Sequence, residues 1–142
     1  MENKNIVVDL THKSATWNSL SVPENILAGL TKMSYFKPSK VQGGTIPHVM
    51  GNPDKNYLIQ ALNGSGKTGA FAVPSLMKVD TSINKPQVII LANTRELIRQ
   101  TYDVLNTLAS ETSVKLSLGE AGNVDLTAHI LITVPGYLKN KL

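Results

Sequence analysis

The chain has no cysteine among its 142 residues and no long hydrophobic run. Without cysteine it cannot form disulfide bonds or use a thiolate as a nucleophile or metal ligand, a composition that suits a reducing compartment. No apolar stretch approaches the roughly 20 residues that a membrane-spanning helix needs. The N-terminus, MENKNIVVDL, also lacks the apolar core of a secretory signal. These absences predict an intracellular protein that does not enter a membrane.

Charge is modest as well, with 17% charged residues and a net charge of +4. The small positive excess permits a polyanionic partner such as nucleic acid without arguing for one. The hydrophobic content of 42% is sufficient for the core of one domain. We expect a flexible N-terminal segment over residues 1–16 and a folded part over 17–142. The three histidines, at positions 12, 48 and 129, are scattered and suggest no metal cage.

The most informative segment is a glycine-rich turn followed by lysine and threonine. It reads ALNGSGKT over residues 61–68, after an apolar run. Glycines let backbone N–H groups approach phosphate oxygens, and the following helix directs its positive end toward them. In this pattern Lys67 reaches the terminal phosphates and the Thr68 hydroxyl binds Mg²⁺. The alternative is a flexible turn with a solvated lysine. The predicted nucleotide-binding residues are Ala61, Leu62, Asn63, Gly64, Ser65, Gly66, Lys67 and Thr68.

Apolar periodicity around this loop predicts strands that alternate with helices, the pattern of an α/β fold with a mostly parallel sheet. Ser21 with Glu24, and Ser39 with Gln42, form capping-box patterns that open two helices. The first helix would bury Ile26, Leu27, Leu30 and Met33. The stripe of the helix over 95–109 would comprise Leu97, Ile98, Tyr102, Leu105 and Leu108. Strands are predicted over 57–60, 88–91, 114–118 and 130–133, and further helices over 39–50, 67–77 and 137–142.

Two residues ahead of the loop suggest that the nucleotide carries adenine. The Gln42 amide has one donor and one acceptor in a plane, and adenine presents the complementary N6 amine and N7. Guanine has an acceptor where adenine has the amine, so the same glutamine would meet a mismatch. Tyr35 could stack on the base. The alternative is that Gln42 only completes its capping box and Tyr35 is a surface aromatic.

With these motifs in order, the chain resembles the DEAD-box RNA helicases. Residues 35–42 are similar to that family's adenine-reading Q motif, and residues 61–68 to its motif I. Residues 93–97 and 134–136 resemble motifs Ia and Ib, with Asn93 and Val134 replacing the usual proline and threonine. The resemblance implies a RecA-like P-loop NTPase domain that is incomplete at its C-terminal end. The motif sequences are most similar to those of the mRNA-export branch at the nuclear pore, and next most similar to those of the translation-initiation helicases.

The resemblance also implies an RNA path. In the family, motifs Ia and Ib grip the backbone of single-stranded RNA, and the matching residues here are Thr94, Arg95, Pro135 and Gly136. Either Gly119 or Gly122 is a further candidate, as a match to the paired glycines of the family's next RNA element. Thr94 looks like a helix N-cap and Arg95 lies in the first turn, so amides and a guanidinium would converge on one phosphate. Valine at 134 cannot donate the hydrogen bond of threonine, although Thr133 lies next to it. We expect weakened RNA contact there.

The family's Asp-Glu-Ala-Asp motif, which positions Mg²⁺ and the attacking water, does not occur in this sequence. We therefore expect an ATP-dependent RNA helicase by family, with ATP and Mg²⁺ as cofactors, of which this chain carries the ATP-binding part and no catalytic residue. The expected partners are single-stranded RNA and nuclear-pore or export factors, in the cytoplasm and nucleus. Self-association through unpaired sheet edges is a further expectation. The alternatives are a non-catalytic ATP- or RNA-binding scaffold and an unrelated P-loop kinase or transporter ATPase.

Overall fold

A computed structural model describes residues 15–62, 66–120 and 124–139 of the chain. Three strands form one parallel sheet: β1 (Val88–Leu91), β2 (Leu116–Gly119) and β3 (Ile130–Thr133). The spatial order is β1-β3-β2. The middle strand, β3, is buried along its whole length, as its unbroken apolar sequence predicts for a parallel sheet. The predicted α/β class is confirmed.

Five helices accompany the sheet among the described residues: α1 (Glu24–Lys32), α2 (Lys40–Gly51), α3 (Lys67–Lys78), α4 (Arg95–Leu108) and α5 (Pro135–Lys139). The bounds of α2, α3 and α4 agree with the sequence-based helices to within two residues. The last helix begins two residues earlier than predicted, at a proline, whose fixed φ and missing N–H suit a first helical position. Its predicted end at 140–142, like residues 1–14, lies outside the described residues.

The main core lies on one face of the sheet, under α1, α3 and α4. Ile130 and Ile132 of β3 are fully buried there against Ile98, Leu105 and Leu108 of α4, together with Leu30 of α1. Helices α1 and α4 approach closely at Gly29, where an added Cβ would lie 2.2 Å from the Leu108 carbonyl oxygen. Only glycine permits that crossing. This packing fixes the direction in which α4 leaves the sheet.

The predicted strand over residues 57–60 is absent: the segment has no regular secondary structure and pairs with no described strand. A strand requires a neighbour for its backbone hydrogen bonds, which local sequence cannot supply. Leu58 is 91% exposed. The Tyr57 side chain is anchored instead at the end of α2, where its hydroxyl lies 2.7 Å from the His48 carbonyl and 2.8 Å from the Asn52 carbonyl.

Three smaller sequence-based expectations were also wrong. Pro23, not Ser21, precedes the first turn of α1, and no side chain caps that helix. Ser21 adopts a left-handed φ of 58° in the preceding turn. Leu97 of the α4 stripe is 44% exposed, whereas the adjacent Ile98 is fully buried. The third predicted strand begins and ends later, as β2.

Within the described parts of the chain, no helix is both long and apolar enough to cross a membrane.

We expect the chain to self-associate through β1. That strand is paired on one side only among the described residues, and its Ile89 and Leu91 side chains are 47% and 50% exposed. Unpaired edges of this kind template association, and a lysine on the edge prevents it. Sedimentation velocity should show concentration-dependent association that Ile89→Lys suppresses. Ile83→Lys is the matched control, because Ile83 is 45% exposed in the loop before β1. A wild-type chain that stays monomeric at every concentration would contradict this expectation.

Candidate nucleotide and nucleic-acid site

The start of α2 is held by the capping box that the sequence predicts. The Ser39 hydroxyl accepts a hydrogen bond from the Gln42 backbone N–H at 3.2 Å. In return, the Gln42 side-chain Oε1 accepts from the Ser39 N–H at 2.9 Å. Two N–H groups that a helix start would leave unpaired are thereby satisfied. The Gln42 side chain is consequently fixed in one orientation.

Gln42 also does more than complete this cap. Its Nε2 donates to the carbonyl oxygen of Gly66 at 3.1 Å, across 24 positions of sequence, and the residue is only 2% exposed. A buried amide requires hydrogen-bond partners, and here one of its two N–H groups and one lone pair of its oxygen are engaged, which leaves one donor and one acceptor position. One side chain therefore joins the start of α2 to the C-terminal part of the predicted phosphate loop.

The loop meets α3 at Gly66, the N-cap residue, with φ of +88°. A residue with a Cβ would be strained in that left-handed conformation. Within the helix, Gly69 is equally constrained, because an added Cβ would lie 2.4 Å from the Gln42 Nε2 atom. Sequence reasoning missed Gly69. A glycine in the second position after a phosphate-loop lysine, where helix propensity disfavours it, was the available signal.

Lys67 and Thr68 form the first turn of α3, as predicted, and both are partly buried. No described residue forms an ion pair or hydrogen bond with the Lys67 ammonium group. The positive end of the helix dipole lies at the same place, which makes this end of α3 suited to an anion. Ala61 and Leu62 belong to no helix or strand, and Leu62 is 85% exposed. Asn63, Gly64 and Ser65 lie outside the described residues.

Tyr35 lies shortly before Ser39, at the end of the turn that follows α1. Its backbone N–H donates to the Leu30 carbonyl at 2.9 Å, and its own carbonyl accepts from the Trp17 indole Nε1–H at 2.7 Å. Trp17 is buried in the main core, at 3% exposure. The Tyr35 backbone is therefore fixed from both sides, while its half-buried ring packs at the margin of the core.

The second group of predicted residues lies at the carboxyl edge of the sheet. The strands are in register, with Leu91 and Gly119 both paired to Thr133. The segments that follow β1 and β3 consequently emerge side by side. After β1, the Thr94 hydroxyl accepts from the Leu97 N–H at 3.2 Å and caps α4, as predicted. After β3, the exposed residues Pro135 and Gly136 begin α5.

Two arginines of α4 occupy this edge. Arg95 Nη2 donates to the Tyr137 hydroxyl, and its guanidinium carbon lies 5.6 Å from the centre of the Tyr137 ring. One turn later, Arg99 donates through Nε and Nη2 to the Glu120 carboxylate that follows β2. These hydrogen bonds hold the pKa of the Glu120 carboxyl below its ordinary value. The structure thus brings Thr94, Arg95, Pro135 and Gly136 together.

Thr133 cannot replace the hydroxyl that Val134 lacks. Its side chain is fully buried, and its hydroxyl donates to the Gly119 carbonyl at 2.9 Å. An added Cβ on Gly119 would lie 2.5 Å from that hydroxyl oxygen, so the two residues fill the space between β2 and β3. The other candidate at this edge, Gly122, lies outside the described residues. Among the residues that the structure describes, no group of three His, Cys, Asp or Glu side chains could hold a metal ion.

We expect Gly69→Ala to displace the Gln42 amide. The new methyl group would overlap the Nε2 atom, and the flexible glutamine side chain is the part that can move. The displaced amide loses its bond to Gly66, so its NH₂ signals in a ¹⁵N–¹H spectrum should shift and exchange faster with solvent. Gly51→Ala is the matched control, since a Cβ at that helical glycine meets nothing within 4 Å. Unchanged Gln42 signals in Gly69→Ala would show that the amide is not held at this distance.

Comparisons with known proteins agree with this geometry. The sequence model for "DEAD/DEAH box helicase" matches residues 39–142. The ATP-dependent RNA helicase DBP5 of Mycosarcoma maydis is 38% identical over 129 residues, which cover 88% of this chain and 28% of that protein. The chain spans about a quarter of the length of the curated relatives it matches first.

Two solved structures of a yeast relative share the fold. S. cerevisiae Dbp5 bound to RNA and ADP BeF3 superposes with a TM-score of 0.82 at 31% identity, covering 88% of this chain and 33% of that one. A variant of the same protein bound to Nup159, a Gle1 variant, IP6 and ADP gives 0.78 at 32% identity, covering 84% and 33%. Because the family model matches residues 39–142 and these structures superpose on most of the chain, the chain belongs to the DEAD/DEAH box helicase family.

Proposed function

We propose that this chain is the ATP-binding part of an ATP-dependent RNA helicase that acts in mRNA export. The observation that carries the proposal is the buried amide of Gln42, the predicted base-reading residue. This amide donates to the carbonyl of Gly66, at the end of the proposed phosphate loop. In this proposal Tyr35 and Gln42 hold adenine, residues 61–68 hold the phosphates, and Thr68 supplies one ligand to the accompanying Mg²⁺. Magnesium neutralises the charge of the phosphates and orients them.

The proposed RNA path follows the carboxyl edge of the sheet. Thr94, Arg95, Pro135 and Gly136 are exposed there, and the guanidinium of Arg95 is a good partner for a phosphate because it is planar and always charged. Contacts of this kind hold the sugar-phosphate backbone and carry no sequence information. The chain would therefore bind single-stranded RNA without sequence preference. Gly122 is part of the same proposal.

The proposed setting, the nuclear pore and the adjoining cytoplasm, rests on the yeast relative that was solved with Nup159 and Gle1. We propose nuclear-pore or export factors of this kind as partners. The proposed domain organisation is a flexible segment over residues 1–16 followed by the first part of a RecA-like domain over 17–142. A non-catalytic scaffold that binds nucleotide or RNA is the alternative.

Gln42→Glu should abolish the preference for adenine nucleotides. The glutamate keeps the acceptor that completes the capping box, so α2 should remain intact, but it cannot donate to adenine N7 or to the Gly66 carbonyl. We expect wild-type protein to bind ADP more tightly than GDP, and the variant to lose about 1–3 kcal/mol of that difference. Isothermal titration calorimetry measures both affinities.

Lys67→Ala serves as the control for that comparison. Its ammonium group would contact phosphates only, so the substitution should weaken ADP and GDP binding by the same factor. Wild-type protein that binds ADP and GDP equally would refute adenine recognition by Gln42.

The chain by itself should bind ATP without hydrolysing it. Phosphoryl transfer requires a placed metal, water and countercharges, and the Asp-Glu-Ala-Asp motif that supplies part of this set is absent from the sequence. Phosphate release in the presence of single-stranded RNA should equal the background of Lys67→Ala. RNA-stimulated release above that background would mean that other residues of this chain perform the catalysis.

A further inference from the structure

Arg95 and Arg99 lie one helical turn apart on α4, yet their surroundings differ in charge. Arg99 donates two hydrogen bonds to the Glu120 carboxylate, and this ion pair cancels its charge locally. Arg95 donates its hydrogen bond to a neutral group, the phenol of Tyr137, and Glu120 acts on it only as a longer-range charge. Among the described residues, Arg95 therefore has no carboxylate in direct contact, whereas Arg99 has one.

Tyr137 restrains Arg95 in two ways. Its hydroxyl accepts a hydrogen bond from Nη2, which fixes the plane of the guanidinium at one end. Its ring also lies 5.6 Å from the guanidinium carbon, within the range of a cation–π contact. A solvated arginine loses considerable rotamer freedom when it binds a ligand, and a side chain that is held beforehand loses less. The contact thus prepares Arg95 for binding.

The position of this contact follows from the sheet. Arg95 belongs to the segment after β1, and Tyr137 to the segment after β3, which are adjacent because Leu91 pairs with Thr133. The Tyr137 side chain is only partly buried and makes no contribution to the two apolar clusters. Core packing therefore does not explain why a tyrosine stands at position 137. Its contact with Arg95, a charged residue of the proposed RNA path, does explain it.

We propose that Tyr137 is a positioning residue that holds the Arg95 guanidinium in the orientation in which it binds a backbone phosphate of single-stranded RNA. This inference rests on the proposed RNA path. The phosphate-binding unit is then the pair of Arg95 and Tyr137, and Arg99 with Glu120 contributes little. Val134 removes one hydroxyl from the same edge, which increases the share of binding that depends on this pair.

The test is a double-mutant cycle on RNA affinity. Fluorescence anisotropy of a short fluorescein-labelled oligouridylate is measured over a range of salt concentrations with the full chain. Arg95→Ala should weaken binding about tenfold and reduce the slope of log affinity against log salt by about 0.7, the value of one phosphate contact on a single strand. Tyr137→Leu should weaken binding about threefold in the wild type, as loss of a cation–π contact implies.

The decisive variant is Arg95→Ala combined with Tyr137→Leu. If Tyr137 acts through Arg95, the second substitution has no further effect once the arginine is gone. Removing the other ion pair by Arg99→Ala with Glu120→Ala is the matched control, which leaves the net charge unchanged and should leave RNA affinity within about twofold. ADP affinity, measured in parallel, reports whether each variant retains its fold.

The outcomes separate this inference from the proposal on which it rests. Suppose that Arg95→Ala weakens RNA binding. If Tyr137→Leu then has no effect, or if its effect adds fully to that of Arg95→Ala in the double variant, the positioning role is overturned and the proposed RNA path stands. If wild-type protein binds no RNA, or Arg95→Ala binds as well as wild type, both are overturned. If Tyr137→Leu loses ADP binding, the test uses Tyr137→Phe instead. RNA binding that is about twofold weaker, with intact ADP affinity, supports the positioning role of Tyr137. Unchanged RNA binding overturns that role.

Discussion

The arrangement of the proposed nucleotide site depends on one buried amide. Gln42 accepts from Ser39 on one side and donates to Gly66 on the other, so the orientation of its side chain is fixed before any ligand binds. The second of these bonds holds Gly66, the N-cap residue of α3. Because an unpaired amide in this position would carry a desolvation penalty, Gln42, Gly66 and Gly69 constrain one another. A change in any of them is transmitted to the other two.

The second constraint is the register of the parallel strands. Leu91, Gly119 and Thr133 lie level with one another, so the segments after β1, β2 and β3 emerge at one edge. Residues separated by 42 positions, Arg95 and Tyr137, consequently come into contact. At the same edge, Glu120 reaches Arg99. The contacts of the two arginines follow from that convergence: Arg99 forms an ion pair with Glu120, and Arg95 is held by the neutral Tyr137.

The core explains why α4 can present these residues. Its buried side chains pack against β3 and α1, and the close approach at Gly29 leaves little freedom for the helix to shift. The Thr94 cap then fixes where the helix begins. The packing of the buried side of α4 thus determines where Arg95 and Arg99 lie at its exposed end. This separation between a rigid support and an exposed binding edge is common in α/β proteins.

Sequence alone was sufficient for the features that depend on short-range chemistry. These features are the capping box at Ser39, the cap at Thr94, the apolar strand Ile130–Thr133 and the start of α3 at Lys67, which all follow from neighbouring residues. The motifs in their order also indicated the helicase family, which the family match confirms. Features that require a distant partner were missed or misassigned. Residues 57–60 have the composition of a strand but no described neighbour with which to pair.

Tertiary structure alone decided the remaining interactions. In the folded chain the Gln42 amide donates to the Gly66 carbonyl, and Gly69 lies directly against that amide. The Thr133 hydroxyl donates to the Gly119 carbonyl. Arg95 likewise contacts Tyr137. The physical reason is common to all of these cases: a local sequence determines which groups can donate, accept or turn the chain, whereas the identity of a partner many residues away depends on the packing of the whole domain.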